Sequence, residues 1–270
     1  MITRIISALV VLAVVVGLYV AFKEKGLLAF GLAIVAVAIF EYAQLRFPRE
    51  PGRSRTPFWS YLILAWPLLF ASVFLESPGL LLAQFSVYFV TVVLLSVPKP
   101  SELMRITQDM GAGLLGFLYL GLFPAFALKL LNLEHGALWF TGLLLIVFAG
   151  DTFAYFTGRF VGREKLFEAV SPKKTIEGAI GGLVGSALFG AIIAQFLPES
   201  VSTVTFVGVA VLTGSFAQVG DLFETLLKRV ADVKDSGSIM PGHGGVLDRL
   251  DGVLFAAPIY YAAISTSYFT

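Results

Sequence analysis

The sequence predicts an all-α integral membrane protein that crosses the bilayer about nine times. Three observations carry that expectation. Of the 270 residues, 57% are hydrophobic, and the mean hydropathy is +0.87. Only 14% are charged, against roughly 25% in water-soluble chains. Apolar runs of spanning length, about 20 residues each, recur from end to end. A water-soluble monomer is excluded, and nine crossings leave little chain for an extramembrane domain.

Taken in order, the runs fall at 5–22, 26–43, 59–75, 80–97, 111–131, 138–156, 179–197, 201–222 and 250–269. The first follows Arg4 as a signal-peptide core would, but Lys23, Glu24 and Lys25 stand where a small-residue cleavage site belongs. It therefore reads as a retained helix. Residues 1–140 read as a scaffold of transmembrane helices and 141–270 as a catalytic region with two long polar loops, 157–178 and 223–249. Residues 151–251 hold 11 of the 18 Asp and Glu. No fixed-period repeat or linker divides the chain, and the Pro- and Arg-rich loop at 47–57 reads as a solvated segment beside anionic headgroups.

The net charge of +1 gives nucleic acid binding no support. The absence of cysteine excludes disulfides, thiolate catalysis and Cys-ligated metals, and two histidines, His135 and His243, are too few for a His-rich site. A metal here is held by oxygen, which points to Mg²⁺, Mn²⁺ or Ca²⁺. Position tells more than sum. With the N-terminus cytoplasmic, one face carries Arg4, Arg46, Arg49, Arg53, Arg55, Lys99, Arg105, Arg159, Arg163, Lys165, Lys173, Lys174, Lys228, Arg229, Lys234 and Arg249, 16 of the 19 Lys and Arg. Only Lys23, Lys25 and Lys129 fall on the other. Cytoplasmic loops retain such an excess, so both polar loops face the cytoplasm and the C-terminus is external.

Ionisable groups within membrane helices are costly unless paired or hydrated. Glu41, Asp151, Asp221 and Glu224 qualify. Glu41, near Arg46, reads as an interfacial carboxylate. Asp151, between Gly150 and Thr152 and ahead of Gly158-Arg159, reads as part of a polar notch or as a partner of the basic loop. Gln218, Asp221 and Glu224 share a helix face and require a cation, either a metal or an ammonium group; an ion pair with Lys228 or Arg229 is the plainer alternative. The Pro241-Gly242-His243-Gly244-Gly245 turn can present successive backbone N–H groups to a phosphate. It runs into Asp248 and Asp251, three residues apart at the start of the last helix, where capping or cation binding would use them. Ser171-Pro172-Lys173-Lys174-Thr175-Ile176-Glu177-Gly178 sets two cations and two hydroxyls at a helix N-terminus, as an anion site would.

From Thr225 to Asp251 the pattern Thr225, Lys228-Arg229, Lys234-Asp235, Pro241-Gly242-His243-Gly244-Gly245, Asp248-Arg249-Leu250-Asp251 resembles the signature of the phosphatidate cytidylyltransferases, the CDP-diacylglycerol synthases. Thr225 stands where that family usually has serine. Similarity extends over roughly residues 145–255. The resemblance implies condensation of CTP with phosphatidic acid at the bilayer surface to give CDP-diacylglycerol and pyrophosphate, with Mg²⁺. It places one or two cations on Asp221, Asp248 and Asp251. Arg159, Lys173, Lys174, Ser171 and Thr175, with Asp151 and Glu177 nearby, are expected at the triphosphate. Lys228, Arg229, Lys234 and Arg249, with Asp235, are expected at the lipid phosphate or the leaving group. Gly242, Gly244 and Gly245 would donate N–H groups, and His243 would position rather than act as a base, because the phosphate is already anionic. These roles suit a reaction between two anions. Two rivals stand: a CTP-using kinase of a lipid alcohol, which would need a base and release no pyrophosphate, and a cation-coupled transporter, whose internal repeat is not visible. The bacterial-type inner membrane is the expected location. The sequence leaves monomer or homodimer open.

Overall fold

The computed structural model describes residues 2–49, 55–74, 103–197, 201–237 and 244–266, with 82–83, 86–87, 89–91, 94 and 239. Helices α1 (Ile2–Phe22), α2 (Glu24–Arg46) and α3 (Thr56–Phe74) open the chain. A bent rod follows: α4 (Leu103–Gly116), a π turn (Phe117–Leu122) and α5 (Phe123–Lys129). Pro124 lacks the N–H that would close on the Leu120 carbonyl, and the helix widens just before it. Then come α6 (Gly136–Phe160), α7 (Ile176–Ala194), α8 (Thr203–Val230) and α9 (Leu247–Ile264). Six described helices are long and apolar enough to cross a membrane, and the protein is a polytopic membrane protein. Eight of the nine expected runs coincide with helices among the described residues. The run at 80–97 falls largely outside them.

Three boundaries differ from expectation. The 157–178 segment is not a plain loop, since α6 continues to Phe160, and β1 (Lys165–Phe167) and β2 (Ser171–Thr175) form an antiparallel hairpin pairing Lys165 with Thr175 and Phe167 with Ser171. Among the described residues, this hairpin is the one β-sheet beside the helices. Likewise α8 runs to Val230 and α9 starts at Leu247, so the loop expected at 223–249 shrinks from both sides. Lys228 and Arg229 sit in the last turn of α8, where cations oppose the helix dipole.

Two apolar clusters form the core. One joins α2, α3 and the bent rod around Tyr42, Tyr61, Phe117 and Leu120; the other joins α6, α8 and α9 around Trp139, Leu143, Phe206 and Tyr260. Phe140 packs against both, and within the first Tyr119 lies 5.1 Å from Phe223 and 5.8 Å from Phe255, ring to ring. Outward faces stay apolar, with Val20, Ile63 and Val204 more than 60% exposed, as a lipid-facing surface requires.

Without a hydrophobic drive between helices in lipid, close backbone approach holds them together. Helix α7 is glycine-rich along the side facing α6. A Cβ at Gly185 would stand 2.7 Å from Phe153 Cβ and 3.0 Å from the Ala149 carbonyl. Gly185→Val should therefore cost about 1–3 kcal/mol, read as a lower thermal midpoint in detergent. Gly208→Ala, with nothing within 4 Å of its Cβ, should not lower it.

Candidate active site

The ends of α6, α7, α8 and α9 nearest the hairpin enclose with it a cavity of about 650 Å³. Each element brings its residues for a local reason. Helix α6 contributes Asp151, Tyr155 and Arg159 from successive turns, and Arg159 Nη1 donates to Tyr155 Oη at 2.9 Å. The hairpin contributes Ser171, Lys173, Lys174 and Thr175. It is fastened by Glu177, whose carboxylate accepts from the backbone N–H of Arg163 at 3.0 Å and of Glu164 at 3.3 Å. Thr175 caps α7, its Oγ1 accepting from Gly178 N at 3.1 Å. Helix α8 contributes Asp221, and α9 contributes Asp248, Arg249 and Asp251.

Ten of the expected site residues thus line one space, with Gln218 beside them: Asp151, Arg159, Ser171, Lys173, Lys174, Thr175, Asp221, Asp248, Arg249 and Asp251. Four are acidic and four basic, so the wall is formally neutral. It carries positive groups for an anion and oxygen donors for a cation.

Asp221 pairs with Lys174 Nζ at 2.6 Å, not with Lys228 or Arg229. The neighbouring acceptors take separate partners: Gln218 Nε2 donates to the Ala179 carbonyl at 2.9 Å, and Glu224 pairs with Lys228 at 2.5 Å. The same Lys228 ammonium reaches Asp248 Oδ1 at 2.6 Å. Asp248 Oδ2 accepts from Gly245 N at 2.8 Å and from Ser236 N and Oγ, each at 3.0 Å. Asp251 Oδ1 accepts from Gly252 N at 2.8 Å. Among the described residues, no three Asp, Glu or His already gather closely enough to hold an ion by themselves.

The remaining expected residues among those described lie outside the cavity wall. Lys228 stands behind Asp248. Arg229 Nε points to the Val170 carbonyl at 3.5 Å. Lys234 and Asp235 are exposed in the α8–α9 connection, and Glu177 serves the hairpin from outside. Gly244 takes a positive φ of 81°, and Gly245 donates to Asp248 as stated above. Gly242 and His243 lie outside the described residues.

Residues 2–267 match the Cytidylyltransferase family. The chain belongs to that family. The phosphatidate cytidylyltransferase of Thermotoga maritima is 34% identical over 264 residues, covering 96% of this chain and 94% of the relative. That of Bacillus subtilis is 31% identical over 260 residues, 93% of each chain. A third, from Staphylococcus aureus, is 44% identical over 115 residues, 43% of this chain and 44% of its own. For a nucleotidyltransferase of this family, the match across residues 2–267 also covers the N-terminal helices, where the sequence reading had found only hydrophobicity.

Sequence reasoning missed two groups at this candidate site, Tyr155 in the cavity wall and Glu41 behind it. Tyr155 was given no role in the sequence; its spacing of four from Arg159 was the available signal. Glu41 was read as interfacial, yet it is 1% exposed and accepts from Leu247 N at 2.8 Å. Nothing local in the sequence links positions 206 residues apart.

Removing one member of a buried charge cluster leaves the others uncompensated, at about 3–5 kcal/mol. Glu224 is fully buried. Lys228→Met should therefore lower stability by about 3 kcal/mol and Lys228→Arg by less, as measured by thermal unfolding in detergent.

Proposed function

We propose that the protein is a CTP:phosphatidate cytidylyltransferase acting at the cytoplasmic face of a bacterial-type inner membrane. One observation carries the reading: ten chemically apt residues from α6, the hairpin, α8 and α9 meet in one cavity in a chain of this family. The names of its relatives supply the substrates.

Two anions must approach. A phosphate oxygen of phosphatidate attacks the α-phosphorus of CTP, the bond from that phosphorus to the β-phosphate oxygen breaks, and pyrophosphate leaves. Arg159, Lys173 and Lys174, with Ser171, bind the triphosphate and offset its charge. Arg249 faces the same space and steadies the lipid phosphate or the departing pyrophosphate, while Lys228 keeps Asp248 fixed. Alignment of attacking and leaving oxygens is the main task left to the protein. No base is required, and His243 serves to position.

The donor set fits a hard cation. Mg²⁺ commonly takes one or two carboxylates and completes its shell with substrate phosphates and water, which suits a wall where carboxylates face the cavity without closing on one another. Asp221 and Asp251 are its foremost holders. Asp248 is the third candidate, although both of its oxygens already accept hydrogen bonds. When bound, the ion supplies neutralisation of phosphate charge and polarisation at the α-phosphorus.

Purified protein given labelled CTP, phosphatidate and Mg²⁺ should yield CDP-diacylglycerol and pyrophosphate in equal amounts, and EDTA should abolish both. Folded protein that forms neither product would sink the reading, and transfer of the γ-phosphate to a lipid would establish the kinase alternative. Asp221→Asn and Asp251→Asn should each lower kcat about 100-fold or more and raise the Mg²⁺ requirement. Near wild-type turnover in Asp248→Asn at ordinary Mg²⁺ would remove Asp248 from the cation.

The chain has no cysteine, so orientation can be read directly. A cysteine placed at the exposed Glu168 should react with an impermeant maleimide only after spheroplasts are permeabilised.

A further inference from the structure

Helix α9 begins without a cap of its own. The residue at its cap position is Val246, which has no side-chain acceptor, so the first N–H groups of the helix need partners from elsewhere. One comes from within the turn, as Arg249 N donates to the Val246 carbonyl at 3.0 Å. The other comes from α2, where Glu41 Oε2 accepts from Leu247 N at 2.8 Å.

Glu41 is buried at 1% exposure and Ser236 at 7%. The Ser236 hydroxyl stands 3.4 Å from Glu41 Oε2 and 3.0 Å from Asp248 Oδ2, so a single proton faces two carboxylates. A Cβ on Gly245 would meet Ser236 Oγ and would lie 2.7 Å from Glu41 Oε2. The Glu41 carboxylate therefore occupies a fitted space against the α8–α9 connection, and its Oε1 has no hydrogen-bond partner among the described residues. From it a continuous chain runs through Ser236 to Asp248, then to Lys228 and Glu224.

We propose that Glu41 is a positioning residue for the transfer reaction, fixing the start of α9 and, through Ser236, the carboxylate of Asp248; this rests on the function proposed above. Asp248, Arg249 and Asp251 all occupy the first turns of α9, so a shift at Leu247 displaces three cavity groups together. A buried carboxylate with one oxygen engaged acts here as an acceptor at a fixed point, a role that an amide oxygen can fill. Misplacement by about 1 Å costs on the order of 100-fold in rate.

The test is steady-state kinetics on purified, folded protein, joined to hydrogen exchange of the peptide spanning 244–250. Glu41→Ala should lower kcat roughly 10- to 100-fold while moving the KM for CTP by less than about 3-fold, and should speed exchange at 244–250. Ser236→Ala should lower kcat to a smaller extent. Glu41→Gln should stay within about 3-fold of wild type, since it keeps the acceptor. Wild-type kcat per folded molecule with unchanged exchange in Glu41→Ala overturns the proposal, as does Glu41→Gln being as impaired as Glu41→Ala. If Glu41→Ala fails to fold, Ser236→Ala together with Glu41→Gln decides by the same criteria. An inactive wild type would count against the proposed function, while the exchange comparison would still test the anchoring.

Discussion

One ammonium group, Lys228, lies between two carboxylates, Glu224 on its own helix and Asp248 on the next. Three charges in so small a buried volume are tolerable only together, because each would be costly to desolvate alone. The geometry this imposes reaches far. Pairing Glu224 with Lys228 fixes the last turns of α8, and pairing Lys228 with Asp248 sets the first turn of α9 against them. Asp248 then gathers Gly245 and Ser236 onto its second oxygen, folding the connection between the helices into place. Asp221 on one side and Asp251 on the other are carried to the cavity by the two helices so joined.

The rest of the molecule holds that junction in register. Close approach of α7 to α6 sets the wall that carries Asp151 and Arg159, and the hairpin leans Lys174 across to Asp221. From the N-terminal side, Tyr119 packs edge-on against both Phe223 and Phe255, which also touch each other, bracing the two helices that carry the network. Glu41 adds the polar counterpart of that brace. The N-terminal helices and the cavity-bearing helices are therefore continuous in contact, and Glu41 of α2 reaches the turn that carries Asp248.

Much of this was legible residue by residue. Spacing put Gln218, Asp221 and Glu224 on one helix face, and their acidity demanded cations. Which cations answered could not be read. Lys174 reaches Asp221 from the second hairpin strand and Lys228 reaches Asp248 on the next helix, because partner choice between elements depends on distances that sequence spacing does not encode, whereas the pair of Lys228 with Glu224 is the local alternative that spacing offers. The hairpin was missed for a related reason. Its strands are three and five residues long, the first too short and the second too polar for an alternation of apolar residues to mark them; the Glu177 carboxylate that fastens it acts across 14 positions. The extension of α8 through Lys228 was hidden by its charges, which look like a loop until the i,i+4 pair with Glu224 is seen to be intrahelical.

Hydrophobic periodicity and charge bias act along the chain, and they determined the membrane class, most helix positions, the expected sidedness and the residue types of the site. These are properties of composition and of near neighbours, which the sequence carries directly. Tertiary structure decided which charges neutralise one another, that Asp248 is held through both oxygens, and that a glutamate from α2 caps α9. Those outcomes depend on burial: in a low-dielectric interior each polar group must find its partner within about 3 Å. Only the packing of helices far apart in sequence determines which groups come that close.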